Sequence, residues 1–262
     1  MRLHEYQAKE LFRAAGIPTP EGRVISTADE ARKAAEELGG SVVVKAQVQV
    51  GGRGKAGGIK LVSTPDEAHQ MAEQILSTPL KGLPVRKCLV EKCQEIKEEN
   101  YLGIVVDRTR RCPVMIFSRS GGIDIEEVAR TTPEKVLKQP IDPQIGLPGY
   151  IVRSMAVKAG LDTRLLNSFQ KVASTLYSLF TSKDATLIEI NPLAVVGEKS
   201  LLALDGKLIV DDNADYRQQS IAAEVDRSDL SPQEMQAREI GVSYVKLDGN
   251  SGCIVNGAGL AM

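Results

Sequence analysis

A glycine-rich segment, residues 51–58, lies between two short apolar stretches and has the composition of a phosphate-binding loop. A Gly-x-Gly-x-x-Gly pattern begins at Gly52, but a dinucleotide fingerprint has to open a helix, and residues 59–62 (Ile-Lys-Leu-Val) continue as a strand. No P-loop is present, because no lysine follows the last glycines. We therefore predict a hairpin flap whose backbone N–H groups, with Arg53 and Lys55, fold over phosphate oxygens. A flexible hairpin tip without a ligand is the alternative.

Lys45 interrupts the apolar strand that leads into this flap, residues 42–48. An ammonium group in such a strand is costly to bury unless an anion compensates it. A phosphate group would be such an anion, so Lys45 is a candidate nucleotide ligand. The alternative is an edge-strand lysine whose tip reaches solvent.

Three oxygen-bearing side chains are predicted to lie near one another on two later strands. Glu189 and Asn191 are two residues apart in a strand over residues 186–191, so their side chains share one face. Asp205 ends the next predicted strand, residues 201–205. Oxygen ligands without His or Cys favour a hard ion, and Mg²⁺ is the one that also binds nucleotide phosphates. The alternative is that all three are ordinary surface residues.

Helices and strands alternate along the chain, with hairpins among them, which predicts an α+β fold. Helices are predicted at residues 3–15, 28–38, 65–76, 150–159, 163–182 and 232–239. Strands are predicted at residues 41–50, 59–62, 87–92, 101–107, 113–118, 186–191, 201–205, 244–247 and 253–255.

Composition excludes several classes of protein. The 33 basic and 34 acidic residues leave a net charge of -1, so no overall basic field exists to hold nucleic acid or an anionic membrane. No apolar run approaches the roughly 20 residues of a membrane span, and the start has no signal peptide. We expect a cytoplasmic protein, or a mitochondrial matrix protein if eukaryotic, although no transit peptide is present. Four cysteines without a CxxC pair make a zinc site improbable.

Several motifs, in this order along the chain, resemble the ATP-grasp part of the succinyl-CoA synthetase β subunit. They are residues 3–9 (Leu-His-Glu-Tyr-Gln-Ala-Lys), the strand and flap of residues 44–58, residues 188–192 (Ile-Glu-Ile-Asn-Pro), and residues 247–250 with 256–259. The resemblance covers the whole chain. It implies an ATP-grasp fold of two α/β subdomains with a glycine-rich hairpin flap.

The resemblance also implies which residues bind ATP or GTP. Some would hold the phosphates, and others would contact the adenine edge and the ribose hydroxyls. They are Lys45, Gly52, Arg53 and Gly54 for the phosphates, Glu91 and Gln94 for the adenine edge, and Glu99 for the ribose.

By the same resemblance, Asn191 and Asp205 would hold Mg²⁺, and Glu189 would be a catalytic residue that stabilises a phosphorylated histidine. Asn256 would touch the organic acid. In this family the histidine belongs to an α subunit, which also carries the CoA site. We therefore expect a heterodimer or heterotetramer that activates succinate or a similar dicarboxylate for CoA thioester formation.

The histidine content of the chain agrees with a partner subunit. His4 and His69 are its two histidines, and neither adjoins the flap or the acidic residues in sequence. Malate–CoA and citryl–CoA ligase subunits, an ATP-grasp carboxylate–amine ligase, and a non-catalytic nucleotide-binding or assembly module remain open alternatives.

The expected domains follow the resemblance. Residues 1–245 would form the ATP-grasp domain, with a subdomain inserted at about 23–98. Residues 246–262, which are glycine-rich at their end, would begin a C-terminal CoA-ligase domain that is cut short. We expect such a piece to be inactive alone.

Overall fold

The computed structural model describes residues 1–198, 200–226 and 231–261. Two compact units are present, Met1–Asp226 and Arg227–Met262. The first unit ends earlier than residue 245, the limit that we predicted for the nucleotide-binding domain. All the secondary structure that positions the candidate site, apart from Asn256, lies in the first unit.

A small antiparallel sheet forms the part of the first unit that carries the flap. Its strands run in the order β1-β4-β2-β3. They are β1 (Gly22–Ile25), β2 (Val42–Ala46), β3 (Ile59–Val62) and β4 (Cys88–Lys92). Two helices, α2 (Ala28–Leu38) and α3 (Pro65–Ser77), cover this sheet. Buried apolar residues of the two helices and the sheet form a core separate from that of the large sheet. This sheet lies where we predicted an inserted subdomain, at about residues 23–98, and the bounds of that subdomain stay a prediction.

A larger antiparallel sheet carries the acidic candidates. Its main path is β10-β8-β5-β6-β7, and β9 pairs with β8 beside β10. The strands are β5 (Ile96–Asp107), β6 (Cys112–Ser118), β7 (Leu137–Pro140), β8 (Ala185–Val196), β9 (Ser200–Ala203) and β10 (Gly206–Val210). Strand β8 is central and pairs with β5, β9 and β10.

Helices bury the apolar residues of the large sheet. They are α1 (Glu5–Ala15), α5 (Gly149–Lys158) and α6 (Leu166–Ser182), and their buried side chains join the main core. Two shorter helices, α4 (Ile125–Thr131) and α7 (Gln219–Glu224), complete the first unit. No helix in the described part of the chain is both long and apolar enough to cross a membrane.

Helix α1 has clear start and stop signals. The backbone N–H of His4 donates to the Gln7 side chain, which satisfies a group that the first turn leaves free. Gly16, with φ of +90°, ends the helix in the left-handed conformation that glycine adopts without steric cost. The helix packs against β10 and α6, and its polar residues Glu5 and Lys9 are buried as deeply as its apolar ones.

The α+β fold with two subdomains and a hairpin flap is confirmed, whereas some elements were missed. The segment after Asp205 forms strand β10, and the segment before residue 140 contains α4 and β7. Polar residues such as Lys207 mask the alternating pattern of β10, since only one of its faces is buried.

The second unit contains two helices among its described residues, α8 (Pro232–Glu239) and α9 (Ala258–Ala261). The predicted helix over residues 232–239 is confirmed. The predicted strands at 244–247 and 253–255 are wrong, because the described residues of this unit form no strand pairs, and an apolar run needs a pairing partner to become a strand.

Candidate functional site

Lys45 lies on β2 with its ammonium group at the junction of the two sheets. The side chain is buried, and its Nζ atom lies 3.0 Å from Oε1 of Glu5 and 2.7 Å from Oε2 of Glu91. The same atom donates to the carbonyl of Leu204 at 2.6 Å. Two carboxylates of the protein therefore compensate the charge for which the sequence suggested a phosphate. The alternative, that Lys45 lies on an edge strand and reaches solvent, is wrong, because β2 is an interior strand of the small sheet.

Arg53 is buried although its neighbours in the flap, Gly51, Gly52, Gly54 and Lys55, are exposed. Between β2 and β3 the chain makes a series of turns in which Gly58 N–H donates to the Arg53 carbonyl. The guanidinium points inward: Nη1 donates to the Ala46 carbonyl at 3.0 Å, and Nη2 lies 2.7 Å from Oε2 of Glu5. Nη2 also donates to both carboxylate oxygens of Asp205, at 3.0 and 2.8 Å. Arg53 thus fastens the flap to the large sheet.

A second buried lysine completes the network. Lys9 is 1% exposed, and its Nζ lies 2.5 Å from Oε1 of Glu91 and 3.5 Å from Oε1 of Glu5. Three cations and three carboxylates thus contact one another and balance in formal charge. We call this group the buried charge cluster: Glu5, Lys9, Lys45, Arg53, Glu91 and Asp205.

Contacts within the cluster stabilise the charged forms of Glu5, Lys45 and Arg53, as the directions of their pKa shifts indicate. Burial alone would raise the pKa of Glu5, but the positive charges of Lys45, Arg53 and Lys9 outweigh it and hold that pKa well below its usual range. Burial would likewise lower the pKa of Lys45 and of Arg53, yet their carboxylate neighbours raise both. Lys9 behaves differently, since burial and the charge of Lys45 lower its pKa.

Asp205 occupies the turn between β9 and β10, two residues beyond the end of β9, whereas we predicted it as the last residue of the strand. Its Oδ1 accepts from the backbone N–H of Gly206 at 2.7 Å, which fixes the carboxylate relative to the turn. The preceding carbonyl, of Leu204, accepts from both Lys9 and Lys45. The buried charge cluster therefore holds the turn as well as the side chain of Asp205.

Glu189 lies on β8, opposite Gly103 of β5 and Lys207 of β10. Its Oε2 accepts from the Tyr101 hydroxyl at 2.9 Å, and its Oε1 lies 3.6 Å from the Lys207 ammonium. Burial, followed by the negative charge of Glu189, raises the pKa of Tyr101, so the phenol remains a proton donor. Gly103 leaves the space for this hydroxyl, because a Cβ there would collide with it. Glu189 is thus an oriented, half-buried carboxylate.

Asn191 is held by the loop that precedes α4. Its Oδ1 accepts from the Gly122 N–H at 2.8 Å, and its amide donates to the Ile123 carbonyl at 2.9 Å. Gly122 has a φ of +72°, and a Cβ there would collide with the carboxylate of Glu99. The loop therefore brings the predicted ribose ligand Glu99 and the predicted metal ligand Asn191 to the same place.

Asn191 and Asp205 are neighbours through the backbone, since the Asn191 N–H donates to the Asp205 carbonyl at 3.3 Å. Their side chains face different partners, Gly122 and Arg53. Within the described ranges, no three His, Cys, Asp or Glu residues form a group that could hold a metal. Mg²⁺ usually takes one or two protein oxygens and completes its shell with water and phosphate. The two residues therefore fit an ion that arrives with a nucleotide, rather than a metal cage built by the protein alone.

The remaining predicted nucleotide ligands lie along one side of the small sheet. Glu91 is central in β4 and 2% exposed, with its carboxylate committed to Lys9 and Lys45. Gln94 is in the loop after β4, where its amide donates to the Lys92 carbonyl at 3.4 Å. The adenine contacts of Glu91 and Gln94 stay predictions, and the closed placement of Glu91 favours its backbone neighbours over its carboxylate as the contact.

Two flap glycines and one residue of the second unit complete the set of predicted site residues. Gly52 and Gly54 are exposed beside Arg53, and Gly52 has a φ of +69°. Asn256 is exposed in the second unit, just before α9. The structure groups the other candidates in the first unit, and a role of Asn256 with an organic acid stays a prediction.

Three functional candidates were missed in the sequence: Glu5, Lys9 and Tyr101. Glu5 and Lys9 lie in the predicted helix over residues 3–15 and in the first motif of the resemblance, but we gave them no role at the site, although their i, i+4 spacing on the face that also bears Ala8 and Phe12 indicates buried charges. Tyr101 carried no signal of its own, because its contact with Glu189 depends on the pairing of β5 with β8.

Comparison with known proteins identifies the domain. The ATP-grasp domain family matches residues 2–195. The succinate–CoA ligase [ADP-forming] β subunit of Nautilia profundicola is 50% identical over 270 residues, and that of Chloroflexus aurantiacus is 51% identical over 263. Each alignment covers 100% of this chain and 69% of the relative.

Solved structures show the same fold at low sequence identity. ATP citrate lyase from Methanothrix soehngenii, in complex with citrate and coenzyme A, superposes with a TM-score of 0.68 at 21% identity, over 91% of this chain and 59% of that one. The dinucleotide forming acetyl-coenzyme A synthetase 1 of Ca. Korarchaeum cryptofilum, with coenzyme A and Mg-AMPPCP, gives 0.61 at 20% identity, over 80% of this chain and 93% of that one. In that structure the phosphohistidine segment points towards the nucleotide binding site. On these similarities and on the fold, the chain belongs to the family of ADP-forming succinate–CoA ligase β subunits and carries the ATP-grasp domain of that family.

Proposed function

We propose that this chain binds Mg-ATP with the triphosphate beneath the flap, next to the buried charge cluster, and exchanges its terminal phosphate with a histidine of an α subunit. The phosphate then activates succinate, and CoA displaces it to form the thioester. GTP is the alternative nucleotide, and the cytoplasm is the location that we assign.

The observation that carries this proposal is the convergence of Lys45 and Arg53 on Glu5, with Arg53 also paired to Asp205. One cation comes from a strand and the other from the flap, and both lie within the region where the two sheets meet. Phosphoryl transfer requires cations fixed around the migrating group, with little covalent work by the protein. A strand lysine and a flap arginine supply that arrangement.

The charge balance of the cluster supports Mg²⁺ as the companion of the nucleotide. The six side chains already sum to zero formal charge, so a triphosphate would add uncompensated negative charge to a poorly hydrated region. An ion bound to the phosphates brings the missing positive charge. Asp205 and Asn191 are the side chains that would hold it.

We place the phosphate acceptor on another chain. Each of the two histidines is paired with an aspartate: His4 lies 3.1 Å from Asp226, and His69 lies 3.3 Å from Asp29. In the acetyl-coenzyme A synthetase named above, a phosphohistidine segment points towards the nucleotide binding site, and a histidine of the α subunit would do so here.

Glu189 would orient the incoming histidine. Its carboxylate accepts one ring N–H of the imidazole, so that the other nitrogen is unprotonated and attacks the γ-phosphorus. The new N–P bond forms as the bond to the β,γ-bridging oxygen breaks, and ADP leaves with the electron pair. Tyr101 and Lys207 hold the carboxylate in place for this role.

The other contacts follow the family assignment. Glu91, Gln94 and Glu99 would bind the adenosine part, Gly52 and Gly54 the phosphates through their backbone, and Asn256 the organic acid. Glu99 has support from geometry, because the loop that it touches also holds Asn191.

Transfer of labelled phosphate tests the proposal. The chain is mixed with the α subunit and Mg-ATP labelled at the γ-phosphate, and we expect acid-labile, base-stable label on the α histidine. Omitting the chain is the control. Label on the α subunit without this chain, or none with it despite measured ATP binding, would favour a non-catalytic assembly role.

A further inference from the structure

Glu5 occupies an unusual position for a carboxylate at the start of a helix. It is 4% exposed, and its two oxygens face different cations: Oε1 accepts from Lys45 at 3.0 Å, and Oε2 lies 2.7 Å from Arg53. Gln47, on the segment between β2 and the flap, also donates to Oε2 at 3.2 Å. One side chain of α1 therefore contacts the strand, the flap and the segment that joins them.

The other two carboxylates of the buried charge cluster lack this bridging position. Among the ion pairs of the described residues, Glu91 contacts Lys45 but not Arg53, and Asp205 contacts Arg53 but not Lys45. Glu5 is thus the member of the cluster that fixes the distance between the two cations.

The two cations differ in how firmly the rest of the chain holds them. The backbone position of Lys45 is fixed by the pairing of β2 with β3 on one side and with β4 on the other. Arg53 lies in the turns between β2 and β3, outside the strand ladders, and its guanidinium is held by Glu5, Asp205 and the Ala46 carbonyl. One of those contacts, Asp205, has to rearrange if it takes a metal ion. Glu5 is then the carboxylate that remains to hold the guanidinium.

We infer that Glu5 is a positioning residue for phosphoryl transfer, which holds Lys45 and Arg53 in register with each other when Mg-nucleotide occupies the site. It does not touch the nucleotide, and it acts through the two cations. The inference rests on the proposed function, since it assigns both cations to the phosphates.

A positioning role has a kinetic signature. Replacement of Glu5 leaves both cations in the protein, so the attraction for the phosphates persists, but their relative placement is lost. Misplaced catalytic groups slow the chemical step more than they weaken substrate binding. For Glu5→Gln we expect the single-turnover rate of label transfer to the α histidine to fall about tenfold at saturating Mg-ATP, with KM for ATP changed by less than about threefold.

The flap itself provides a second readout that needs no partner. Amide hydrogen exchange of residues 51–58 in the nucleotide-free chain should accelerate about fivefold in Glu5→Gln, because Arg53 loses one of its two anchoring carboxylates. Leu176→Ala is the matched control: Leu176 is fully buried on α6, far in sequence from the cluster, so the variant lowers stability through a cavity. It should leave both the transfer rate and flap exchange unchanged.

The outcomes separate the inference from the function on which it rests. If the wild-type chain binds no ATP and transfers no label, the proposed function fails. If the wild type transfers label and Glu5→Gln resembles Leu176→Ala in rate and flap exchange at matched stability, Glu5 is only structural and the inference is overturned. A large rise in KM with kcat unchanged would also overturn it.

A second variant answers the question if Glu5→Gln does not fold. Glu5→Asp keeps the negative charge, but its side chain is too short to reach both cations at their present positions. We expect label transfer to slow about threefold, and amide exchange of the flap to accelerate less than it does in Glu5→Gln. A wild-type transfer rate in Glu5→Asp would overturn the inference.

Discussion

Arg53 donates from one nitrogen, Nη2, to both carboxylate oxygens of Asp205, at 3.0 and 2.8 Å. The side chain proposed for phosphate binding thus occupies the side chain proposed for metal binding. In the structure described here, the guanidinium of Arg53 occupies the position beside Asp205 that a metal ion would take. Under the proposed function, binding of Mg-nucleotide would require an exchange of partners, in which Asp205 turns to the ion and Arg53 to the phosphates.

Arg53→Met should expose this competition directly. Without the guanidinium, Asp205 is free for a divalent ion, so we expect the nucleotide-free chain to bind Mn²⁺ about fivefold more tightly. Calorimetry with the metal alone measures this. The gain should disappear in the double variant with Asp205→Asn, and Lys55→Met, an exposed charge on the same flap, is the control. An unchanged Mn²⁺ affinity in Arg53→Met would show that the ion pair does not limit the metal.

Lys45→Ala should destabilise the fold as well as weaken ATP binding. Lys45 is the partner of two buried carboxylates. Breaking a buried pair by removing one partner leaves uncompensated charge and costs about 3 kcal/mol. Urea unfolding measures the loss, with Lys60→Ala on the exposed face of β3 as the control. Equal stability of Lys45→Ala and the wild type would refute a structural role for the ammonium.

Lys45 also shows what sequence reasoning can reach in this chain. An ammonium in an apolar strand requires an anion, and that argument found a genuine buried cation. The identity of the anion could not be predicted, because Glu5 and Glu91 are distant from Lys45 in sequence and meet it only through packing of α1 and pairing of β4. The spacing of residues in the sequence predicts which side chains are neighbours on one helix or strand. It does not predict which side chains of different helices and strands meet.

The same limit explains the other differences at the site. Glu189 and Asn191 could be paired from the sequence because residues two apart on a strand place their side chains on the same face. The flap could be predicted because glycines between two strands indicate a turn. Tyr101 was missed, since its hydroxyl reaches Glu189 from a neighbouring strand through the space left by Gly103. Arg53 was assigned to the flap correctly, but nothing in the flap sequence shows that its side chain turns inward.

Stability should depend on pH through Glu5. The pKa of its carboxyl in the folded chain is held below the ordinary value of 4.5. The stabilisation is therefore complete above pH 4.5 and is lost as the pH falls, because the unfolded chain takes up the proton first. Glu5→Gln lacks this dependence, so the difference in unfolding free energy between wild type and Glu5→Gln should shrink by about 1.4 kcal/mol per pH unit below 4.5.

Urea unfolding at several pH values between about 3 and 6 measures this difference. Glu10→Gln, on the exposed side of the same helix, is the control for loss of a carboxylate. A difference that stays constant with pH would mean that Glu5 is not held ionised by the buried charge cluster.

Tyr101→Phe should separate orientation of Glu189 from its charge. The variant keeps the ring, which fills the core beside α4, and removes the hydroxyl that donates to Oε2 of Glu189 at 2.9 Å. Glu189 then keeps its contact with Lys207 but loses its buried donor, so the carboxylate is less well aligned for a partner histidine. We expect label transfer to the α histidine to slow about tenfold with ATP binding unchanged, since a hydrogen bond to a charged group contributes about 1.5 kcal/mol or more. Tyr150→Phe, exposed on α5, should transfer at the wild-type rate. If Tyr101→Phe also transfers at that rate, Lys207 alone is sufficient to orient Glu189.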